Sequence, residues 1–189
     1  KCDSRGKFIH EYVDENGKEW TWDYDCLKML GQKLTVDANG NDATSPAFDP
    51  ENIVQWGFGI VWGDARGYGT LFEPNNLVAE ERKTAQIPSA WLDAWKWTYD
   101  GMWNSHFIPN GPYGSSDILS AGSWGESGKI GMFQCHLWYS GYAVMDYDWD
   151  VYPMPSYKGR TTAKMHADTF EIPKGSKNPD AAFKALSYL

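Results

Sequence analysis

The sequence predicts an α/β or α+β domain. Three observations carry that expectation. Short apolar runs of strand character alternate with segments of helical periodicity. The 189 residues suffice for one substantial core, or for one large lobe of a bigger protein. Apolar residues make up 42% and charged residues 22%, a balance that argues against disorder.

The elements follow in order. Residues 1–19 are polar and turn-rich around Asp14-Glu15-Asn16-Gly17 and read as a loop or hairpin. A helix follows, with Thr21 as its cap and Asp23 and Asp25 in its first turn. Leu27, Leu30 and Leu34 recur at helical spacing. Residues 37–51, rich in Asn, Asp, Gly and Pro, form a long loop. Residues 53–61 read as a buried strand broken by Gly57 and Gly59, and 63–76 as irregular chain with Gly63, Arg66, Gly67 and Gly69. Pro88-Ser89 open a second helix whose apolar face is Leu92, Trp95, Tyr99 and Met102; Trp91, Trp95, Trp97 and Trp103 share its spacing and read as core or surface. A turn at 109–114, a short helix at 117–127 and a short strand at 129–134 lead to an aromatic helical turn at 136–142. Strands are expected at 150–154 and 164–172. The last helix has Asn178 as cap and Pro179 at its first position, with Ala182, Phe183, Leu186 and Leu189 as its buried stripe.

Charge and composition exclude several function classes. Lys plus Arg total 17 against 25 Asp plus Glu, a net charge of −8. An acidic chain without a basic run suits neither nucleic acid nor an anionic membrane. The longest near-apolar run, 56–63, falls far short of the about 20 residues a transmembrane helix needs. The three cysteines (Cys2, Cys26, Cys135) are odd in number and contain no CxxC, which excludes a zinc ribbon or thioredoxin-type site. Cys2 and Cys26 can pair, leaving Cys135 over, or all can be free thiols; both remain open. The 16% aromatic content exceeds what a core of this size needs, so some rings are expected on a binding surface.

Catalytic and cofactor motifs are missing. The sequence has no GxSxG elbow, no dinucleotide fingerprint and no P-loop. His10-Glu11 begins like a zincin motif, but Asp14 stands where its second histidine belongs, and the four histidines are scattered. No metal and no cofactor are expected. Asp37, Asn39 and Asn41 alternate as in a calcium loop, yet Phe48 sits at the twelfth position, with Asp49 one further on, and a solvated turn is the expectation. Glu80, Glu81, Glu126, Asp146, Asp148 and Asp150 are the carboxylates from which a glycosidase pair would be drawn; solvated charge is the expected role.

Five segments in order carry a resemblance. Trp20-Thr21-Trp22-Asp23 running to Lys33-Leu34-Thr35 is the first. Phe48-Asp49-Pro50-Glu51-Asn52-Ile53 running to Gly57-Phe58 is the second. Ser127-Gly128-Lys129-Ile130-Gly131-Met132, with Trp138 soon after, is the third. Asp148-Trp149-Asp150-Val151-Tyr152-Pro153-Met154-Pro155 is the fourth, and Ile172-Pro173-Lys174-Gly175-Ser176-Lys177-Asn178-Pro179 the fifth. Together they resemble the extracellular solute-binding proteins of ABC transporters, in the sugar-binding family that includes maltose-binding protein. Family members are usually about twice this length, and His136-Leu137 replaces their usual Gly-Pro. The chain begins at Lys1 and stops at Leu189 inside an apolar helical pattern, so both ends read as cuts in a longer polypeptide.

The resemblance implies a periplasmic-binding-protein-like (type II) α/β lobe, a mixed sheet flanked by helices and truncated at both ends. Residues 1–152 would be the second lobe, and 153–189 the hinge crossing and the segment returning to the first lobe. The implied function is non-enzymatic: an extracytoplasmic receptor, periplasmic or lipid-anchored at the cell surface, that binds a sugar or oligosaccharide between two lobes and delivers it to a membrane permease. A single-domain carbohydrate-binding module or a glycan-active enzyme is the alternative. Trp138 matches a family position and is the expected stacking ring, with His136 and Tyr139 beside it. Trp62 and Arg66 follow a strand in a Gly-rich loop and are expected cleft residues. His166 and Asp168 match the segment where the family commonly places polar ligand contacts.

Overall fold

A computed structural model describes residues 11–61, 63–74, 77–78, 84–141, 144–164 and 169–188. The expected hairpin is present: β1 (Glu11–Val13) pairs antiparallel with β2 (Glu19–Thr21). Asp14 closes it, accepting from the backbone N–H of Asn16 and Lys18 and from the Trp20 indole. Helix α1 (Tyr24–Leu34) follows, capped by Asp23 rather than Thr21; the Asp23 carboxylate accepts from the N–H groups of Asp25 and Cys26.

The central sheet is mixed, in the order β3–β4–β5. β3 (Val36–Asp37) is antiparallel to β4 (Ile53–Ile60), and β4 is parallel to β5 (Ile130–Gln134). Helix α1 lies directly on β4: a Cβ on Gly57 would sit 1.7 Å from the Gly31 carbonyl oxygen. Two buried clusters form the core. The larger joins Tyr24 and Leu27 of α1 to Phe58, Ile60, Phe107 and Ile108. The smaller joins Ile53, Trp56, Leu119 and Ile130.

The segment after β4 is less irregular than its glycines suggest. Asp64 caps a short helix, α2 (Ala65–Gly69). Helix α3 (Ser89–Trp103) forms as expected but buries another face. Leu92 and Tyr99 are exposed, whereas Ala90, Trp91, Ala94, Thr98 and Gly101 are buried. The small residues admit close packing, and a Cβ at Gly101 would meet Ile108 at 2.6 Å. Trp97 packs among Tyr24, Phe58, Phe72 and Phe107. Lys28 of α1 ties to Asp100 of α3 at 2.6 Å.

One helical turn, α4 (Gly111–Gly114), precedes 3₁₀ turns over Asp117–Gly122 and Trp124–Ser127 in place of a single helix; positive φ at Ser120 and Ala121 breaks the path. Another 3₁₀ turn, Leu137–Gly141, matches the expected aromatic turn. Residues 150–154 run without a ladder partner. The described part of 164–172 carries no strand; β6 (Ser156–Tyr157) and β7 (Arg160–Thr161) form a hairpin before it. Helix α5 (Pro179–Tyr188) forms at its expected place with no residue buried, and Phe183 is 64% exposed. Its stripe has no cover among the described residues; Leu189 lies outside them.

The 37–51 loop is organised from inside. Asp37 is 1% exposed and accepts from the backbone N–H of Asn39, Asn41 and Asp49 at 2.8–2.9 Å, and from Asn41 Nδ2. Its oxygens are engaged by N–H donors. Burial pushes this carboxyl up, but the donors together outweigh burial and hold it below the ordinary 3.8. The resulting stabilisation is complete above 3.8 and lost as pH falls through the folded value. Thermal melts at descending pH are therefore expected to show the melting temperature dropping in this acid range. Asp37→Asn should flatten that drop and melt lower at neutral pH.

Candidate functional site

The parallel pair β4–β5 sets the position of the site, because ligands of α/β sheets bind beyond the carboxyl ends of parallel strands. A cavity of about 840 Å³ opens beside the end of β5. Its wall continues from Met132 and Gln134 into Cys135, His136 and the 3₁₀ turn bearing Trp138 and Tyr139. The lining is mostly apolar, with Gln134, His136, Ser140, Asp150 and Lys164 as polar groups. The volume lies in the range usual for small-molecule sites.

Three of the expected residues meet here. The Trp138 ring is half exposed and lies parallel to the His136 ring, with centroids 5.8 Å apart and an interplanar angle of 18°. Tyr139 is 4% exposed and packs edge-on against Phe133. It fits because position 125 is glycine; a Cβ there would lie 2.8 Å from the Tyr139 ring. Tyr139 thus contributes its packing against the cavity wall, while Trp138 presents a face. Arg66 lies exposed on α2 and lines neither this cavity nor a smaller one at the end of β4. Trp62, His166 and Asp168 lie outside the described residues.

The opposite wall is the 149–155 segment, read from sequence only as a hinge strand. Trp149, Asp150 and Tyr152 line the cavity from it. Trp22 fixes this wall: its indole donates to the Pro153 carbonyl at 2.9 Å, and its ring meets Tyr152 edge-on at 6.1 Å. Ser156 N–H donates to the Trp22 carbonyl. The signal that finds these residues is the density of aromatic side chains in 147–152. Tyr147, whose hydroxyl is raised by burial, donates to the Gly125 carbonyl and joins the segment to the 3₁₀ turn before β5.

Cys26 and Cys135 carry free thiols. Burial, then the Asp23 carboxylate, pushes Cys26 up to about 11, and burial raises Cys135 on the cavity wall; both are poor nucleophiles. Of the candidate carboxylates, Asp150 lines the cavity, whereas Glu126 is exposed and accepts from the Val144 N–H. Asp150 is the one carboxylate among the described residues lining this cavity, and no metal-ligating cluster gathers among the described residues.

The sequence matches the bacterial extracellular solute-binding protein family over residues 5–189. The chain belongs to that family. It therefore works outside the cytoplasm. The solved structure of M. tuberculosis UspC in its monoclinic crystal form shares the fold, with a TM-score of 0.57 and 19% identity; the match covers 86% of this chain and 41% of UspC. No curated protein sequence matches the chain. The chain thus spans about two fifths of UspC. The lobe is α/β, of the type II periplasmic-binding-protein kind, with a mixed sheet between helices and turns. For a solute-binding protein, the cavity beside the end of β5 is the candidate ligand site.

Proposed function

We propose that this chain is part of a sugar receptor of an ABC importer, one that captures a sugar or oligosaccharide and delivers it to a membrane permease without chemical change. The observation that carries the reading is the half-exposed Trp138 ring, stacked on His136 at the wall of an 840 Å³ cavity. A pyranose offers an apolar C–H face for such a ring and hydroxyls for Gln134, His136, Asp150 and Lys164. Cover from a second lobe would exclude water from these hydrogen bonds and strengthen them. In this reading residues 1–152 are the second lobe and 153–189 cross to the first. The uncovered stripe of α5 and the two-fifths span of UspC support that division.

The test is titration of the full-length protein with glucose, galactose, maltose, lactose and cellobiose while following Trp emission. A saturable shift with a dissociation constant near micromolar, about −8 kcal/mol, is expected with one sugar class, and the ligand should be recovered intact. No response to any sugar overturns the sugar assignment; cleaved ligand overturns the receptor.

A further inference from the structure

A second cavity, of about 340 Å³, lies at the carboxyl end of β4. Ile60 and Val61 form its strand side, and Tyr68, Asn110, Ser115 and Trp124 line it. Its size is at the small end of the roughly 300–1,000 Å³ of ligand pockets, room for one ring-sized unit.

Its aromatic walls are fixed in place. The Trp124 indole donates to the Gly114 carbonyl at 2.8 Å. Glycines at 59 and 114 leave space for its ring, since a Cβ at either would lie 2.4 or 2.9 Å from it. Tyr68 packs in the same way on Gly63, where a Cβ would meet the ring at 2.2 Å.

Three polar groups in this cavity have no hydrogen-bond partner among the described residues: the Tyr68 hydroxyl, the Ser115 hydroxyl and the Asn110 Nδ2 group. Asn110 Oδ1 is already engaged by the Tyr113 N–H at 3.1 Å, so the amide offers its donors. Burial and the nearby Asp64 carboxylate raise the Tyr68 hydroxyl, which keeps it a donor. Among the described residues, no charged side chain lines the cavity. An anionic group would find no cationic partner among the described lining residues, whereas neutral hydroxyls would find two rings and three uncommitted polar groups.

The two cavities are neighbours. Ile60 is paired with Gln134, and Val61 N–H donates to the Gln134 carbonyl at 2.9 Å. Ile60 and Val61 line the smaller cavity and Gln134 the larger. Adjacent strands lie about 4.8 Å apart.

We propose that the smaller cavity is a second subsite that seats one neutral, hydroxyl-rich ring of a ligand whose other ring stacks on Trp138. This rests on the sugar-receptor reading and makes the preferred ligand at least a disaccharide.

The test compares glucose with maltose and cellobiose, and galactose with lactose, on the full-length protein and on its Tyr68→Phe/Ser115→Ala variant, by calorimetry. The wild type should bind one disaccharide more tightly than its monosaccharide. The variant, which keeps the ring and removes only two hydroxyls, should cut that preference about 10-fold. Melting temperatures of the two proteins should agree, which separates lost contacts from lost fold. A preference for the disaccharide that the variant retains in full overturns the subsite and leaves the receptor reading standing. So does a wild type that binds both sugar sizes alike. A wild type that binds none of the five sugars overturns the sugar assignment, and the subsite with it.

Discussion

Gly57→Ala is expected to destabilise the lobe by about 3 kcal/mol or more, lowering its melting temperature by roughly 6–12 °C. The added methyl would lie 1.7 Å from the Gly31 carbonyl oxygen, 2.5 Å from its carbon and 2.7 Å from its Cα. All three are backbone atoms of α1, so no rotamer change relieves the clash. The helix must lift from β4, and Leu27 and Tyr24 lose contact with the core as it moves. Gly111→Ala is the matched control, because its Cβ would meet nothing within 4 Å; its effect should stay within about 0.5 kcal/mol. Thermal melts of the two variants side by side decide the matter. A Gly57→Ala protein that melts with the wild type would mean that α1 and β4 are not in direct contact.

On the proposed sugar-receptor reading, Trp138→Ala is expected to weaken sugar binding by about 2 kcal/mol, roughly 30-fold, while leaving the melting temperature nearly unchanged. The ring is half exposed, so its removal opens little core. Trp91 supplies the contrast. It is 2% exposed and its indole donates to the Glu73 carbonyl, so Trp91→Ala should cost about 3–5 kcal/mol of stability. Titration and melting of both variants separate a ligand-facing tryptophan from a structural one. Wild-type affinity in Trp138→Ala would remove that residue from the site.

Much of the fold was legible because local patterns set it. The Asn-Gly turn of the hairpin, the Leu27 periodicity, the apolar run of β4 and the Asn178-Pro179 helix start all lie within a few residues of the structure they specify. The exposed face of α3 was not legible. Leu92 and Tyr99 are the larger apolar groups, but Ala90, Ala94 and Gly101 allow the closer approach, and proximity to Phe107 and Ile108 is a tertiary fact. Residues 150–154 read as a strand because Val and Tyr favour one; the segment is held by Trp22 instead of a ladder. At the site, the sequence pointed to the Trp138 cluster through resemblance. It did not show that Tyr139 would be buried, or that Trp22 would anchor the opposite wall from far away in the chain. The surplus of aromatic residues is divided: Trp97 and its neighbours build core, while Trp138, Trp149 and Tyr152 line a cavity.

The pairing of β4 with β5 has a kinetic meaning. Trp56 finds its partner at Ile130, whereas α1 and β3 precede β4 closely in the chain. During synthesis the helix, β3 and β4 emerge early, and one edge of β4 waits with unpaired peptide groups until the late strand arrives. Closing so long a loop comes before any gain from the contacts it makes, so the lobe should fold more slowly than a helical bundle of its size.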